Sequence, residues 1–332
     1  MSKLIPAVLV ATALLATACG SSETPAAPQT QAGQNQGAFP VRVEHKYGTT
    51  EIAKKAERVV TLGLNDQDAV LALGVRPVGA IDWFGERPYG QWPWTKELWG
   101  DKPPEVVGKR DDYDVEKIID LKPDLIIGLY SGMTREQYDT LSKIAPTVAQ
   151  PKGYEDWLAP WQEMTKLTGL ALGMPAKVDE LIAGIDARFA TVRKEHPDWA
   201  GKSVAVVDSF QPGQYAIFAP GDPKAQFLTG LGFKVSDRIT KEAGTQNALE
   251  VSSERLDLID VDRVVFLTSD PAAEGRIKAD QVYQSLKVAK DGRALFVPYA
   301  TPPVGAAISF NTVLSIPYAI DQLAPLLAAG AQ

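Results

Sequence analysis

Aromatic and polar side chains follow several predicted strands of this sequence, at the point where each strand ends. Trp83 comes directly after "PVGAID", and Tyr130 ends "PDLIIGLY". Phe210 and Gln211 end a strand in the second half of the chain, and Tyr299 ends a later one. Aromatic faces at such an edge can bury a flat or bulky ligand, and amides or hydroxyls can orient it. We therefore expect these five residues to bind a small ligand.

Two further features of the loops could contribute to such a site. The loop "WFGERPYGQWPW" carries Trp92 and Trp94, and the polar loop "GKRDDYD" carries Arg110. Ligand contact and packing between elements are both open for the two tryptophans. For Arg110, a solvated surface position and a position facing a ligand are both open.

Catalytic and metal-binding signatures are scarce by comparison. The chain has two histidines, His45 and His196, and one cysteine, Cys19, so it cannot assemble a zinc site of the His₃ or Cys₄ type. The "GKS" at residues 201–203 lacks the earlier glycine of a phosphate-binding loop. We expect His45 on the surface of an N-terminal strand and His196 at the end of a long helix. Acid–base chemistry by carboxylates stays possible, but no spacing singles out a pair, and no metal or cofactor is expected.

The first residues read as a targeting segment followed by a tether. Lys3 precedes a short apolar run, and small residues lead directly into Cys19, which resembles the lipobox of bacterial lipoproteins. We therefore predict a signal peptide over residues 1–18 and acylation of Cys19; a plain secretory signal is the alternative. Residues 19–40, rich in Ser, Thr, Pro, Gln and Gly, predict a flexible tether to the membrane.

The remainder alternates apolar strands with amphipathic helices, which predicts an α/β fold with mostly parallel sheets covered on both faces. A stripe of apolar residues at spacings of three and four predicts one long helix from Pro175 to Glu195. Further helices are expected over "YEDWLAPWQEMTKLTGLALG", which includes Trp157, and from Phe310 to about Ala328. Asp66 is placed to cap the helix "DQDAVLALG". Two Rossmann-like lobes are then joined by the long helix. The predicted ranges are an N-terminal lobe at 41–172, a linking helix at 173–198 and a C-terminal lobe at 199–332.

One helix-then-strand phrase occurs twice in the chain. "DVEKIIDLKPDLIIGLYS" begins at Asp114, and "SSERLDLIDVDRVVFLTS" begins at Ser252. Laid over each other without a gap, they place Glu116 on Glu254 and Asp124 on Asp262. Duplication of one lobe would explain the match. Helix–strand units also have similar sequence patterns in general, and this similarity would explain the match without a duplication.

Net charge and composition limit the class of partner. The formal net charge is −7, and no run of Lys or Arg is present, so we expect no nucleic-acid partner. The lipobox, the tether and two lobes around a long helix resemble the substrate-binding lipoproteins of ABC importers for ferric siderophores, haem and cobalamin. The motifs that carry this resemblance are "RVVTLGLNDQDAVLALGVRPVG" and "VEKIIDLKPDLII". The resemblance covers residues 58–327.

The resemblance implies roles for particular residues. An arginine six residues before the first glutamate holds the ligand in members that bind hydroxamate siderophores, and that position is Arg110. An exposed glutamate on each lobe docks with the permease, which carries over to Glu116 and Glu254. The chelate would bring its own iron ligands. The implied partners are a ferric siderophore and an ABC permease dimer with its cytoplasmic ATPase. The protein itself would be a monomer on the outer face of the cytoplasmic membrane.

Other interpretations remain open at this point. A haem-binding member would call for a histidine or tyrosine ligand, which Tyr130 or Tyr89 could supply, and a cobalamin-binding member is a further possibility. A cell-envelope α/β enzyme should show a carboxylate pair or a nucleophile in the cleft. A structural lipoprotein should have its cleft filled by side chains.

Overall fold

A computed structural model describes residues 37–85 and 87–330. The predicted signal peptide, Cys19 and most of the predicted tether lie outside these residues. Within them, the chain folds into strands, α-helices and short 3₁₀ helices. The strands are β1 Val41–His45, β2 Gly48–Ile52, β3 Val59–Thr61, β4 Gly79–Asp82, β5 Glu105–Lys109, β6 Asp112–Tyr113, β7 Leu125–Ile127, β8 Thr147–Val148, β9 Ser203–Gln211, β10 Gln214–Phe218, β11 Lys234–Val235, β12 Ala248–Ser252, β13 Arg263–Thr268 and β14 Ala294–Pro298.

The helices cover the faces of the sheets and connect successive strands. The α-helices are α1 Asp66–Ala72, α2 Lys96–Trp99, α3 Val115–Asp120, α4 Arg135–Leu141, α5 Trp161–Ala171, α6 Pro175–Glu195, α7 Pro223–Gly230, α8 Asp237–Ala243, α9 Ala273–Ala279, α10 Gln281–Ser285, α11 Lys287–Lys290, α12 Val304–Phe310 and α13 Ser315–Ala329. The 3₁₀ helices are Pro88–Gly90, Pro197–Trp199 and Ser253–Ile259. Within the described residues, no helix has both the length and the hydropathy to cross a bilayer.

Two mostly parallel sheets form the centres of two α/β lobes, which confirms the predicted fold class. The N-terminal sheet has the order β6-β5-β4-β3-β7-β8, and its pairs are parallel except for β5 with β6. The C-terminal sheet has the order β12-β10-β9-β13-β14, with β11 beside β9. Strands β9, β13 and β14 are parallel, whereas β10 and β12 are antiparallel to their neighbours. The strand order of the N-terminal sheet reverses at β3, and such a switch point opens a crevice at the carboxyl ends of the strands.

The long helix α6 has the predicted bounds. Pro175 occupies its first turn, where the missing N–H costs nothing, and the chain leaves the helix at His196, one residue before Pro197. Val178, Ile185 and Phe189 are buried on the predicted stripe, and the helix packs against α5 and α13. At 1.5 Å per residue its 21 residues span about 30 Å. The helix therefore connects the two lobes through a packed apolar face.

The repeated phrase has a repeated structural role. The Asp124 carboxylate accepts hydrogen bonds from the N–H groups of Glu57 and Arg58, at 3.0 and 2.8 Å, where the chain enters β3. The Asp262 carboxylate accepts one from the N–H of Ser203, the first residue of β9, at 2.7 Å. Strand β7 follows Asp124 and is parallel to β3, and β13 includes the residue after Asp262 and is parallel to β9. This equivalence supports the interpretation that the two lobes are duplicates.

Three local predictions were wrong. The helix predicted from Phe310 onward is interrupted because Asn311 takes a left-handed conformation (φ 47°), so α12 ends at Phe310 and α13 begins only at Ser315. The phrase around Glu254 forms a 3₁₀ helix rather than an α-helix. The helix predicted to include Trp157 begins at Trp161, because Pro160 precedes it and Trp157 itself has a φ of 71°.

His45 is buried, not on the surface as predicted. It takes the third inward position of β1, after Val41 and Val43, and is 1 % exposed. The N–H of Tyr47 donates to its Nδ1 at 3.2 Å, so the ring proton is on Nε2, which lies 2.9 Å from Thr50 Oγ1. Burial first, and the charge of Arg135 second, lower the pKa of His45 to about 4. The ring is therefore neutral at pH values well above 4.

We expect His45 to make the protein less stable as the pH falls. An unfolded chain protonates this histidine near pH 6.5, but the folded chain does so only near pH 4, so the unfolded state binds the extra proton between these values. The free energy of unfolding should fall by up to about 3 kcal/mol from this group across that window. Urea titrations of wild type and His45→Gln between pH 7 and pH 4 measure it. In His45→Gln the free energy of unfolding should fall less steeply between pH 7 and pH 4. An equal fall in wild type and variant would contradict a lowered pKa of His45.

Candidate functional site

The predicted site residues lie at the carboxyl edges of the two sheets. Trp83 follows β4, Arg110 follows β5 and Tyr130 follows β7, all in the N-terminal sheet. On the other side, Phe210 and Gln211 end β9, and Tyr299 follows β14. Phe84, two residues after β4, packs against Tyr299 with ring centroids 6.3 Å apart, and Arg87 donates to the Ala300 carbonyl, so the loops that follow β4 and β14 are in contact between the lobes. The predicted residues therefore all lie at the carboxyl edges of the two sheets, and a single ligand-binding cleft between these edges stays a prediction.

Three aromatic rings form a wall on the N-terminal side of the cleft. Trp157 packs edge-on against Trp83, with ring centroids 5.9 Å apart, and against Tyr130 at 4.9 Å. Trp83 and Trp157 are half-buried, and Tyr130 is buried. Gly132 lies under Trp157, where a Cβ atom would come 2.5 Å from the indole ring. The wall therefore needs glycine at position 132.

Trp157 is the member of this wall that the sequence did not reveal. A bulky residue rarely takes a left-handed backbone conformation, and such conformations concentrate at functional sites. The only local signal was Pro160, which disfavours a helix across this stretch. The helical spacing of apolar residues in the same segment favoured a helix despite Pro160.

Arg110 lies in the tight turn between β5 and β6, with its side chain directed over Trp83. Its N–H donates to the Asp82 carbonyl at 2.9 Å, and its backbone is left-handed with φ 51°. The guanidinium carbon lies 5.1 Å from the centroid of the Trp83 ring, within the range of a cation–π contact. Arg110 is exposed and has no ion-pair partner within residues 37–85 and 87–330. A solvated surface position and a position facing a ligand were both open for Arg110. Its contact with Trp83 favours the position facing a ligand.

Trp92 and Trp94 belong to the packing between elements. Trp92 is 1 % exposed, stacks on Trp94 at 5.3 Å and packs against Phe310 at 5.3 Å. The indole N–H of Trp94 donates to the Asp68 carboxylate at 3.0 Å. For Trp92 in particular, the packing alternative is correct, because burial of the whole ring leaves no face for a ligand.

The C-terminal side of the cleft combines exposed and paired groups. Phe210 is 58 % exposed, and Gln211 is also exposed. Asp208 accepts from the Ser269 hydroxyl at 2.5 Å, and burial raises its pKa. Tyr299 is half-buried, with its ring centroid 6.3 Å from that of Phe84. Polar contacts therefore fix the strand ends, while an aromatic side chain is left exposed beside them.

Several hydrogen bonds tie the two lobes together beside the cleft. The Thr312 hydroxyl donates to the Asp68 carboxylate at 2.6 Å, and the Asn65 amide donates to the Phe310 carbonyl at 2.9 Å. Arg87 donates to the Ala300 carbonyl at 3.1 Å. Burial raises the pKa of Asp68 to about 7, and the Thr312 and Trp94 donors oppose this rise. The contacts of Asn65 and Asp68 hold the end of α12 and the loop after it against the start of α1, and the Arg87 contact joins the loops that follow β4 and β14.

Asp66 binds backbone N–H groups at the carboxyl edge of the N-terminal sheet. Its buried carboxylate accepts from the N–H groups of Gly63 at 2.9 Å, Leu129 at 2.9 Å and Tyr130 at 3.0 Å. The sequence suggested Asp66 as a helix cap, but it is the first residue of α1 and binds the neighbouring strand end instead. Burial raises its pKa to about 7, and the three N–H donors oppose this rise. The backbone of Tyr130 is thereby fixed at the switch point of the sheet.

Glu116 and Glu254, the two repeated glutamates, are exposed on the two lobes. Glu116 is the second residue of α3, whose first turn is capped by Asp114. Glu254 is the second residue of the 3₁₀ helix Ser253–Ile259. Neither side chain has an ion-pair partner among the residues that the structure describes. Each carboxylate is therefore available to an external partner.

Comparisons with known proteins agree with this architecture. The probable siderophore-binding lipoprotein YfiY of Bacillus subtilis is 30% identical over 301 residues, which cover 86% of this chain and 87% of that protein. A periplasmic solute binding protein from Mycobacterium smegmatis has 33% identity and a TM-score of 0.78 over 88% of this chain and 99% of the other. The iron-uptake protein PiaA of Streptococcus pneumoniae, solved with ferrichrome, has 31% identity and a TM-score of 0.76 over 87% and 98%.

A family profile for periplasmic binding proteins matches residues 59–299. This range extends from β3 in the N-terminal sheet to Tyr299 at the edge of the C-terminal sheet, so it includes both sides of the cleft. With this match and the relatives described above, the chain belongs to the periplasmic binding protein family.

Proposed function

We propose that this protein is the lipid-anchored, extracytoplasmic substrate-binding component of an ABC importer and captures a ferric siderophore in its cleft. The family and the names of its relatives support the importer class. Membrane attachment through Cys19, a residue outside the described part, follows from the lipobox and agrees with the lipoprotein relative. In this proposal the lobes are residues 41–172 and 199–332, and residues 173–198 link them.

The observation that carries the proposal is the aromatic wall with Arg110 above it. A siderophore complex presents apolar surface beside oxygen atoms, and Trp83, Tyr130 and Trp157 offer rings to the former. The planar guanidinium of Arg110 suits the oxygens of the chelate. Phe210, Gln211 and Tyr299 would close the site from the other lobe. We propose no catalytic residue and no resident cofactor, because the chelate itself would hold the iron.

Two alternatives fit the structure less well. A haem protein of this fold would call for a tyrosine ligand such as Tyr130, but Tyr130 is buried and packs against Trp157 with ring centroids 4.9 Å apart. The other candidate ligand, Tyr89, packs edge-on against Trp99 at 5.2 Å. A structural lipoprotein would fill its cleft, whereas Phe210 and Arg110 are exposed. The siderophore proposal accounts for all of these residues.

The importer role also gives Glu116 and Glu254 a purpose. We propose that they dock the loaded protein onto arginines of a two-fold permease, one glutamate on each half. Complementary charge at such an interface steers association and fixes register. A carboxylate near the start of a helix is favourable by itself, so this position is stable before docking. The protein would act as a monomer with a permease dimer and its ATPase.

A tryptophan-fluorescence titration tests the proposed ligand. We expect saturable quenching by a ferric siderophore at micromolar or lower concentrations, because Trp83 and Trp157 lie in the wall. Arg110→Ala should weaken the affinity about tenfold or more, since a hydrogen bond to a charged group is lost. Arg42→Ala, at an exposed arginine of the β1–β2 hairpin, is the matched control and should leave the affinity unchanged. If ferric hydroxamate, catecholate and carboxylate complexes all fail to quench the fluorescence, the proposed function is refuted.

A further inference from the structure

The turn of the β1–β2 hairpin lies beside the segment that carries Trp157. This hairpin turn consists of Lys46 and Tyr47. The segment, residues 150–157, lies between β8 and α5, and none of these described residues belongs to a helix or a strand. We call it the wall loop, because its last residue belongs to the aromatic wall. A loop without regular structure depends on contacts with its surroundings for a fixed conformation.

Lys46 contacts the wall loop near both of its ends. Its backbone N–H donates to the Gln150 carbonyl at 2.8 Å. Its ammonium group lies 2.7 and 2.9 Å from the two carboxylate oxygens of Asp156, so it binds both oxygens. Asp156 directly precedes Trp157 in the chain. One lysine therefore holds the first residue of the loop and the residue before the indole.

Tyr47 connects the same turn with the backbone next to the Trp157 ring. Its hydroxyl donates to the Met133 carbonyl at 2.5 Å. The side-chain amide of Gln150 donates to the same carbonyl at 3.2 Å, so the hairpin turn and the wall loop share one acceptor. Met133 follows Gly132, which lies against the indole of Trp157. The turn therefore supports both the loop that carries the indole and the backbone on which the indole packs.

The backbone of Trp157 needs such support. Its φ of 71° is in the left-handed region, which is unfavourable for a bulky residue unless the surrounding structure stabilises it. The contact between Lys46 and Asp156 fixes the chain one residue before this position. Without that contact, we expect the loop to relax toward a more common backbone conformation. Such a change at Trp157 would move its indole away from Trp83 and Tyr130.

The ion pair does not act alone, which matters because a partly exposed pair has a modest effect. The side chains of Lys46 and Asp156 are 35% and 36% exposed, so water weakens their attraction. The backbone contact of Lys46 and the Tyr47 hydroxyl contribute from the same turn. The turn is anchored in turn by His45, which is buried and accepts from the Tyr47 N–H at 3.2 Å. The hairpin turn is therefore a fixed support for the wall loop.

We propose that the hairpin turn positions Trp157 for ligand binding, with Lys46 and Tyr47 as positioning residues. This inference rests on the proposed function, which places the aromatic wall in the ligand site. Neither residue has to contact the ligand, because Lys46 acts through the wall loop and Tyr47 through the backbone next to the indole. The hairpin forms a two-stranded sheet of its own. It would thereby contribute to binding without belonging to either central sheet.

Fluorine NMR of protein labelled with 5-fluorotryptophan tests this positioning without a ligand. The chain has seven tryptophans, and the Trp157 resonance is the one that disappears in Trp157→Phe. We expect Lys46→Met/Tyr47→Phe to shift this resonance toward that of an exposed indole. The resonance of Trp92, which is buried in the core, should stay unchanged, and this separates a local movement from a general loss of structure. An unshifted Trp157 resonance would overturn the proposal.

Fluorescence titrations with ferrichrome, ferric enterobactin and ferric citrate measure the consequence for binding. For a complex that binds the wild type, Lys46→Met should weaken the affinity about three- to fivefold, which is the effect of one partly exposed ion pair. Lys46→Met/Tyr47→Phe should weaken it about tenfold or more, because a hydrogen bond is lost as well. Lys46→Arg keeps a cation that can bind both oxygens of Asp156, so its affinity should stay within about twofold of wild type.

Lys54→Met is the matched control for these variants. It makes the same substitution at an exposed lysine that follows β2 and has no ion-pair partner in the described part of the chain. Both the Trp157 resonance and the affinity should be those of the wild type. Circular dichroism of each variant checks that it is folded.

The outcomes separate this inference from the proposed function. A shifted Trp157 resonance together with a weakened affinity supports both. A double variant that binds within about twofold of wild type overturns the positioning role and leaves siderophore capture in place. If no ferric complex binds the wild type, the proposed function fails, and with it the role of the turn in ligand binding. The NMR result then still decides whether the turn holds the indole of Trp157.

Discussion

Reversing the charges of Glu116 and Glu254 together is expected to abolish delivery of the ligand while leaving its binding unchanged. Both carboxylates are exposed on separate lobes and have no ion-pair partner in the described part of the chain. Lysines at these positions would face the permease arginines of the proposed complex, and like charges across an interface cost several kcal/mol. Uptake of the iron complex should fall by about a hundredfold or more in Glu116→Lys/Glu254→Lys.

Ligand-stimulated ATPase activity of the reconstituted importer measures this effect, and fluorescence titration measures the ligand affinity of the same variant. Each single reversal should retain part of the activity, because the other lobe still docks. Glu180→Lys/Glu195→Lys is the matched control, since it makes the same change in net charge at exposed positions of α6. Full activity in the Glu116/Glu254 variant would place the docking surface elsewhere.

Removing the Asp66 carboxylate is expected to produce the largest loss of stability. Asp66→Ala leaves the N–H groups of Gly63, Leu129 and Tyr130 buried without an acceptor. A buried donor without a partner costs about 1–3 kcal/mol, so the total should be about 3 kcal/mol or more. Urea unfolding should show a lower midpoint with an unchanged slope. Ligand affinity should also fall, because the freed strand end carries Tyr130.

Asp66→Asn is the graded control for this prediction. The amide keeps one oxygen acceptor but turns an N–H group toward one of the donors, so the loss should lie between those of wild type and Asp66→Ala. The pH dependence gives a second check. Burial raises the folded pKa of Asp66 to about 7 from 3.8, so its stabilising contribution is complete below pH 3.8 and is lost as the pH rises through 7. The difference between wild type and Asp66→Asn should therefore shrink from pH 5 to pH 8, and a difference that is constant or grows would contradict the raised pKa.

Local patterns in the sequence determined the elements of the fold. The bounds of α6 follow from Pro175, Pro197 and a stripe of apolar residues, all of which act within a few turns of one helix. The same holds for the repeated aspartates at 124 and 262. Each follows a helix and lies within one residue of the strand after it, so the repeated spacing already indicates a repeated position.

Burial was harder to predict because it depends on which surface docks against an element. His45 alternates with Val41 and Val43, and this period of two places it on the inner face of β1. The contacts of β1 with α5 and β8 decide that this face is covered. Trp83 and Trp92 share one loop, yet only packing against Phe310 made Trp92 part of the core.

The sequence by itself determined the α/β class and the linking helix, and it predicted the repeated glutamates and most of the residues proposed for the cleft, because each depends on neighbours within one helix or strand. Only the tertiary structure decided how these residues meet. Trp83, Arg110, Tyr130 and Trp157 are far apart in the chain, and the carboxyl ends of parallel strands bring the first three together. The left-handed backbones of Arg110 and Trp157 then aim their side chains. Such conformations are locally unfavourable and exist because the surrounding fold stabilises them, so no local propensity could have predicted them.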